Sequence, residues 1–142
     1  MASEFYPVYF VESGKGNIDL ENDTIQCLLV TASYTYDATD LDVADLSGEV
    51  TGGSYARQTL SNVTITQDAS GWPVTLDADN CIFSGVPDQA ASVQGSAAIV
   101  FKSGASDADS PLIAFLDYTN LTFNGSDVQV QFNASGIGTI DT

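Results

Sequence analysis

Closely spaced aspartates are the residues whose type and spacing could most directly do chemistry in this chain. They occur in three groups along the sequence: Asp37/Asp40/Asp42/Asp45, Asp77/Asp79 and Asp107/Asp109. Paired carboxylates can serve a glycosidase, and several carboxylate oxygens can bind calcium. However, 15 of the 142 residues are aspartate, so close pairs are expected by chance, and no group follows the EF-hand pattern. We interpret these groups as solvated acidic loops.

Histidine is absent, which excludes enzymes that use histidine as a base, nucleophile or metal ligand. The two cysteines, Cys27 and Cys81, each lie in an apolar run, and this indicates two buried thiols rather than a disulfide or a zinc site. No P-loop, G-x-S-x-G or G-x-G-x-x-G motif is present. We therefore predict that the chain is not an enzyme, needs no cofactor or metal, and acts by binding.

The charge balance limits the partners. The chain has nineteen acidic residues and only three basic ones, Lys15, Arg57 and Lys102, so its net charge is −16. Binding to nucleic acid or to an anionic membrane requires clustered cations, so we predict neither partner. The N-terminus lacks the basic start and apolar run of a signal peptide, which predicts synthesis in a cytoplasm.

The elements that must position any site are mainly strands. Apolar and polar residues alternate with period two in 63–66, 74–79 and 128–132, and Gly, Ser, Asn and Asp cluster between such runs. We predict a single-domain, all-β antiparallel sandwich, of jelly-roll or Ig-like type, over residues 17–142. At most one short helix is expected, near residues 38–47, where a loop is the alternative. Asn124-Gly125 predicts a hairpin between 121–123 and 128–130.

Two segments, 97–101 and 112–116, are apolar on both faces. The polar loop between them predicts an antiparallel hairpin. Antiparallel sheets usually have one solvent-exposed face. A strand that is apolar on both faces therefore needs a second covering layer, from this chain or from another. We expect Leu112, Ala114 and Leu116 to face the core. Ile113 and Phe115 would then need a separate cover.

Residues 1–16 form an aromatic arm followed by a polar spacer. Its apolar side chains, interrupted by Pro7, are Phe5, Tyr6, Val8, Tyr9, Phe10 and Val11. Proline predicts an edge strand or an extended arm here. Because this segment is too apolar to remain loose in water, we expect it to dock either on the edge of its own sheet or on a neighbouring subunit. With Ile113 and Phe115, these six residues are our candidate interface.

Several segments, in their order and spacing, resemble a group of small phage and prophage structural proteins. The similarity runs with gaps from about Ile18 to the end of the chain and is carried by residues 22–34, 48–52 with Tyr55, 60–65, 76–79, 98–102, 110–117 and 134–137. The aromatic arm lies outside it, and none of the segments is a catalytic signature.

The resemblance implies a β-sandwich virion component, best fitted to a capsid decoration or cement protein that binds the major capsid protein. It also implies a homo-oligomer, with a trimer suited to the three-fold positions of capsids. A charge of −16 would be repelled by packaged DNA, which favours the outer capsid surface. The alternative is a receptor- or carbohydrate-binding module of a tail fibre or tail tip, with Trp72, Tyr34 and Tyr36 stacking on sugars.

Overall fold

The computed structural model describes residues 3–89, 95–121, 123–132 and 136–140. These residues form ten strands, one α-helix and 3-10 turns at Val43–Asp45 and Asp107–Asp109. The helix is α1 (Pro7–Gly14), and the strands are β1 (Glu4–Phe5), β2 (Ile25–Thr31), β3 (Gln58–Thr59), β4 (Thr64–Gln67), β5 (Val74–Asp77), β6 (Cys81–Phe83), β7 (Gly95–Lys102), β8 (Leu112–Leu121), β9 (Val128–Val130) and β10 (Gly138–Ile140). The prediction of an all-β fold with at most one short helix is confirmed.

The strands form three antiparallel sheets. The largest has the order β1-β8-β7-β2-β3, and two smaller sheets have the orders β10-β5-β4 and β6-β9. The predicted hairpin of residues 97–101 and 112–116 is confirmed, because β7 pairs with β8. The hairpin predicted between 121–123 and 128–130 falls partly on residue 122, which lies outside the described residues, and the pairing that the structure describes for β9 is with β6. Val128 and Val130 lie opposite Phe83 and Cys81, so the pairing joins two strands whose buried positions coincide.

Both faces of the large sheet are apolar and both are covered by this chain. One face packs against the two smaller sheets and forms the inter-sheet cluster, whose members include Cys27, Leu29, Leu76, Phe83, Ala98, Val100, Ile113, Ala114, Leu116 and Val130. The opposite face forms the tyrosine cluster, which consists of Tyr6, Leu28, Val30, Tyr34, Val43, Ala97, Ile99, Phe101, Leu112 and Phe115. The second layer that the two-faced strands require is therefore supplied within the chain.

A β-bulge in β8 changes which side chains share a face. Val100 lies opposite Ala114 while Phe101 lies opposite Leu112, so Ile113 is the extra residue. As a result Ile113 joins Ala114 and Leu116 in the inter-sheet cluster, whereas Leu112 joins Phe115 in the tyrosine cluster. We expected Leu112 to face the core with Ala114 and Leu116, and Ile113 to face the other side with Phe115. The structure exchanges Leu112 and Ile113 between the two faces.

Two further expectations are corrected. Residues 38–47 contain only the 3-10 turn Val43–Asp45, and the α-helix lies at Pro7–Gly14 instead. The period-two pattern of residues 63–66 does not give a buried face, since all four residues of β4 are exposed and Ile65 is 39% exposed. Among the described residues, β4 is an edge strand of a small sheet and none of its residues belongs to a buried cluster, so neither of its faces is covered by the core.

Candidate functional site

The N-terminal arm is held at the edge of the large sheet by a short strand and a helix. β1 pairs with β8, with Phe5 opposite Ala114, and the Tyr6 amide donates to the Ile113 carbonyl at 3.0 Å. The prediction that Pro7 keeps the arm extended is wrong beyond β1. Pro7 occupies the first turn of α1, where a missing N–H costs nothing and the fixed φ suits the helix. Tyr6 before it stays extended, as the residue preceding a proline should.

The end of α1 is fixed by the following turn. Gly16 has φ +78°, its amide donates to the Ser13 carbonyl, and the Asn17 amide donates to the Glu12 carbonyl at 2.8 Å. This is a Schellman arrangement, in which a left-handed glycine lets two terminal carbonyls find donors. The segment predicted as a flexible spacer therefore contains the helix terminus, and it fixes the direction in which the exposed side of α1 points.

A chain of hydroxyl groups locks the arm onto the tyrosine cluster. The Tyr34 hydroxyl donates its single hydrogen to Asp40 Oδ2 at 2.8 Å. The hydroxyl oxygens of Tyr6 and Tyr34 are 2.8 Å apart, so in this second hydrogen bond Tyr6 must be the donor. Burial raises the pKa of Tyr6 far above its usual range and that of Tyr34 to about 12. The Tyr36 hydroxyl donates to the Phe5 carbonyl at 3.0 Å. The arm and the 34–40 segment thus hold each other in place.

An open groove of about 520 Å³ lies between α1, the loop before the 3-10 turn Val43–Asp45, and the start of β8. We call it the arm groove, and its apolar lining is Val8, Val11, Leu41 and Pro111. Val11 is 52% exposed and Leu41 is 56% exposed, so both leave much of their apolar surface in water. Large apolar side chains that meet in one concave site are typical of a binding surface.

The arm groove has an acidic rim formed by Glu12, Asp42 and Asp109. Lys15 also lies there, but its ammonium group pairs with Glu12 at 3.2 Å. The other two cations of the chain are engaged elsewhere: Lys102 pairs with Asp23 at 3.2 Å, and Arg57 pairs with Glu49 and Asp107, both at 2.7 Å. All three cations are therefore already neutralised by carboxylates of the same chain.

The candidate interface residues divide into two sets. Tyr6, Tyr9, Ile113 and Phe115 are buried, and Phe5 and Val8 are half-buried. Only Phe10 and Val11 are strongly exposed, on the outer side of α1. Sequence reasoning missed Leu41 as a surface residue, because a helix near residues 38–47 would turn its side chain inward, whereas it is 56% exposed. It becomes relevant only when the fold places it opposite Val11.

The aspartate groups singled out in the sequence serve the local structure. Asp42 and Asp45 form a capping box around the 3-10 turn Val43–Asp45, and Asp37 accepts from the Thr39 amide at 2.8 Å. Asp107 binds Arg57, which lowers the pKa of that carboxyl group. Within the described ranges, no three His, Cys, Asp or Glu side chains gather closely enough to hold a metal ion.

The two cysteines lie together. Cys27 on β2 and Cys81 on β6 are both buried, as predicted, and each is a free thiol in the inter-sheet cluster. The contact with the Cys81 thiol, together with burial, raises the pKa of Cys27 well above its usual range. The pair therefore packs between the large sheet and the β6-β9 sheet, with Cys27 held as a neutral thiol.

The aromatic residues of the sugar-binding alternative do not share a surface. Tyr34 is buried in the tyrosine cluster and Tyr36 is half-buried against it. Trp72 is 45% exposed, in the loop between β4 and β5. That loop is closed by hydrogen bonds from the Asp68 amide to the Pro73 carbonyl and from the Gly71 amide to the Asp68 carbonyl. Only Trp72 is presented as a stacking platform would be.

In the part of the chain that the structure describes, no helix has the length and apolar character needed to span a membrane. No protein-family model, curated protein or solved structure matches the chain.

Proposed function

We propose that this protein is a phage virion structural protein that decorates the outside of the capsid by binding the major capsid protein. The observation that carries the proposal is the arm groove, in which Val11 and Leu41 stay exposed although Tyr6 and Tyr9 anchor the arm by being buried. A helix held by a strand, a hydroxyl chain and a Schellman turn presents Val11, and the loop before the 3-10 turn Val43–Asp45 presents Leu41. Such preorganisation favours tight binding because little conformational freedom is lost.

The charge supports the location. A chain at −16 is repelled by packaged DNA, whereas on the outside of a particle it keeps a densely covered surface soluble. The sequence resemblance to small virion proteins supports the same role. It also suggests a trimer, which we retain as part of the proposal. Because Ile113 and Phe115 are buried within one chain, a subunit contact would have to use other surfaces.

The test is quantitative mass spectrometry of purified virions that encode this chain, with the major capsid protein as internal reference. A decoration protein should be present in a fixed, large proportion to the capsid protein. A few copies per particle would instead place it in the tail, and absence from virions would refute both roles.

A tail-tip module that binds sugars is the second candidate, and the exposed Trp72 favours it. Here the test is a glycan array with the full chain and the Trp72→Ala variant. Binding that disappears in Trp72→Ala, together with low copy number, would establish this candidate in place of capsid decoration.

A further inference from the structure

We propose that the arm groove binds a segment of another protein in which an apolar side chain is flanked by lysine or arginine, and that a second copy of this chain does not occupy it. Only the identification of the partner as the capsid shell rests on the proposed function.

The apolar part of the argument comes from the groove lining. Val11 from α1 and Leu41 from the loop before the 3-10 turn both line the groove, and Pro111 and the half-buried Val8 add to the apolar lining. A groove of about 520 Å³ can take one or two large side chains. Removing the exposed surfaces of Val11 and Leu41 from water supplies the driving force. The groove therefore selects an apolar anchor.

The charged part of the argument comes from the balance of ion pairs. Lys15, Arg57 and Lys102 each pair with a carboxylate of their own chain, and Lys15 is the one basic residue among the described residues that line the groove, against three acids, so the rim is net acidic. The rim carboxylates can accept further hydrogen bonds, since each carboxylate has about four acceptor positions. Asp42 accepts from the Ala44 amide and Asp109 from the Ser106 hydroxyl, which leaves further positions open on each. A basic partner segment complements this rim.

The same balance argues against a second copy. Another chain would bring a further −16, and its three lysine and arginine side chains already pair with its own carboxylates. Screening weakens repulsion between charges more than about 8 Å apart at physiological salt, but rim charges around a filled groove would be closer. Like charges facing each other across a contact oppose binding.

The experiment uses the full chain and three synthetic amphipathic peptides of equal length: one of leucine and lysine, one with glutamate in place of lysine, and one with serine in place of leucine. Isothermal titration calorimetry at low and moderate salt measures affinity. NMR shifts of the Val11 and Leu41 methyl groups locate the site. We expect the leucine–lysine peptide to bind at these methyl groups, more weakly at higher salt, and the other two to bind at least tenfold more weakly.

The decisive variant is Val11→Ser combined with Leu41→Ser, which keeps the charge and changes only exposed positions. It should weaken binding of the leucine–lysine peptide at least tenfold. The matched control is Ile82→Ser, since Ile82 is similarly exposed at 51% but lies on β6. It should leave the affinity unchanged. Circular dichroism spectra confirm that each variant is folded.

Equal binding by the double variant would overturn the proposal, because attraction would then come from the acidic surface in general. Sedimentation that shows self-association of the native chain but not of the double variant would overturn it in favour of a second copy. Neither result depends on the virion assay. Peptide binding at the groove with no chain in virions would refute the capsid role alone.

Discussion

The two faces of the large sheet are buried in different ways. The inter-sheet cluster is covered mainly by strands of the two smaller sheets, and Tyr9 of α1 with Ile18 and Leu20 also belongs to it. The tyrosine cluster is covered by the arm and by the irregular 34–46 segment, and hydroxyl groups take part in that cover. One face is therefore closed by a hydrogen-bonded sheet, and the other by loops that depend on side-chain hydrogen bonds.

This difference bears on the arm groove, which lies at the border of the loop-covered face. Strands leave few exposed apolar side chains between them when they cover a sheet. A helix and loops meet less closely, so concave gaps with partly exposed apolar side chains remain between them. The groove between α1 and Leu41 is such a gap. The hydroxyl chain of Tyr6, Tyr34 and Asp40 keeps its two walls at a fixed separation.

The largest expected loss of unfolding free energy comes from truncating two neighbouring residues that belong to different clusters. Leu28 and Leu29 are both fully buried, Leu28 in the tyrosine cluster and Leu29 in the inter-sheet cluster. Leu→Ala substitutions in cores cost about 2–5 kcal/mol, depending on how far the surroundings collapse. We expect Leu29→Ala to lie near the upper end, because strands on both sides resist collapse. Leu28→Ala should lie near the lower end, because loops can relax.

Urea denaturation of both variants measures the free energies of unfolding. Both single substitutions remove the same atoms from the same strand, so each is the control for the other. An equal cost, or a larger cost for Leu28→Ala, would show that the loop cover is as rigid as the strand cover.

A smaller effect is expected from Tyr6→Phe, which removes the first hydroxyl of the chain. Tyr34 would lose a donor within a buried site, and an unsatisfied buried group costs about 1–3 kcal/mol. The donation from Tyr6 lowers the pKa of Tyr34, opposing the larger upward effect of burial. In the variant the pKa of Tyr34 should therefore rise above its native value of about 12. Urea denaturation and ultraviolet titration of the phenols measure the two effects.

Tyr118→Phe is the matched control, because its hydroxyl donates to the Gln131 carbonyl in a more exposed place. It should cost less and leave the pKa of Tyr34 unchanged. If the two variants lose equal stability, the hydroxyl chain has no special role in closing the loop-covered face.

The smallest expected loss of unfolding free energy comes from replacing Arg57, which lies at the rim of the tyrosine cluster. Arg57 lies over the Phe101 ring, 5.6 Å from its centroid, and binds Glu49 and Asp107. All three charged groups are partly exposed, so Arg57→Gln should cost only about 1 kcal/mol. Binding to Arg57 lowers the pKa of Asp107 below its ordinary value of 3.8. That contribution to stability is present above pH 3.8 and is lost as the pH falls through the lowered native pKa.

The difference in unfolding free energy between the native chain and Arg57→Gln should therefore shrink on acidification below about pH 4. NMR titration should also show the pKa of Asp107 returning toward 3.8 in the variant. A difference that stays constant with pH would mean that Arg57 acts through packing on Phe101 alone.

The sequence by itself determined the fold class and the strongest pairing. Period-two runs separated by turn residues predicted antiparallel sheets, and the doubly apolar segments around the polar loop 102–111 predicted the hairpin of β7 and β8. These predictions succeeded because they depend on burial along one strand and on partners close in sequence. The composition likewise fixed the net charge, which follows from the residue types alone.

The tertiary structure decided everything that depends on which distant surfaces meet. The bulge at Ile113 changed which side chains of β8 share a face, because the pairing with β7 gains a residue on one strand only. Pro7 is compatible both with an edge strand and with the first turn of a helix, and in the folded chain it begins α1, with Tyr6 and Tyr9 buried on either side of it in the sequence. The arm groove exists only because the fold brings Val11 and Leu41, thirty positions apart in the chain, to opposite walls of one gap.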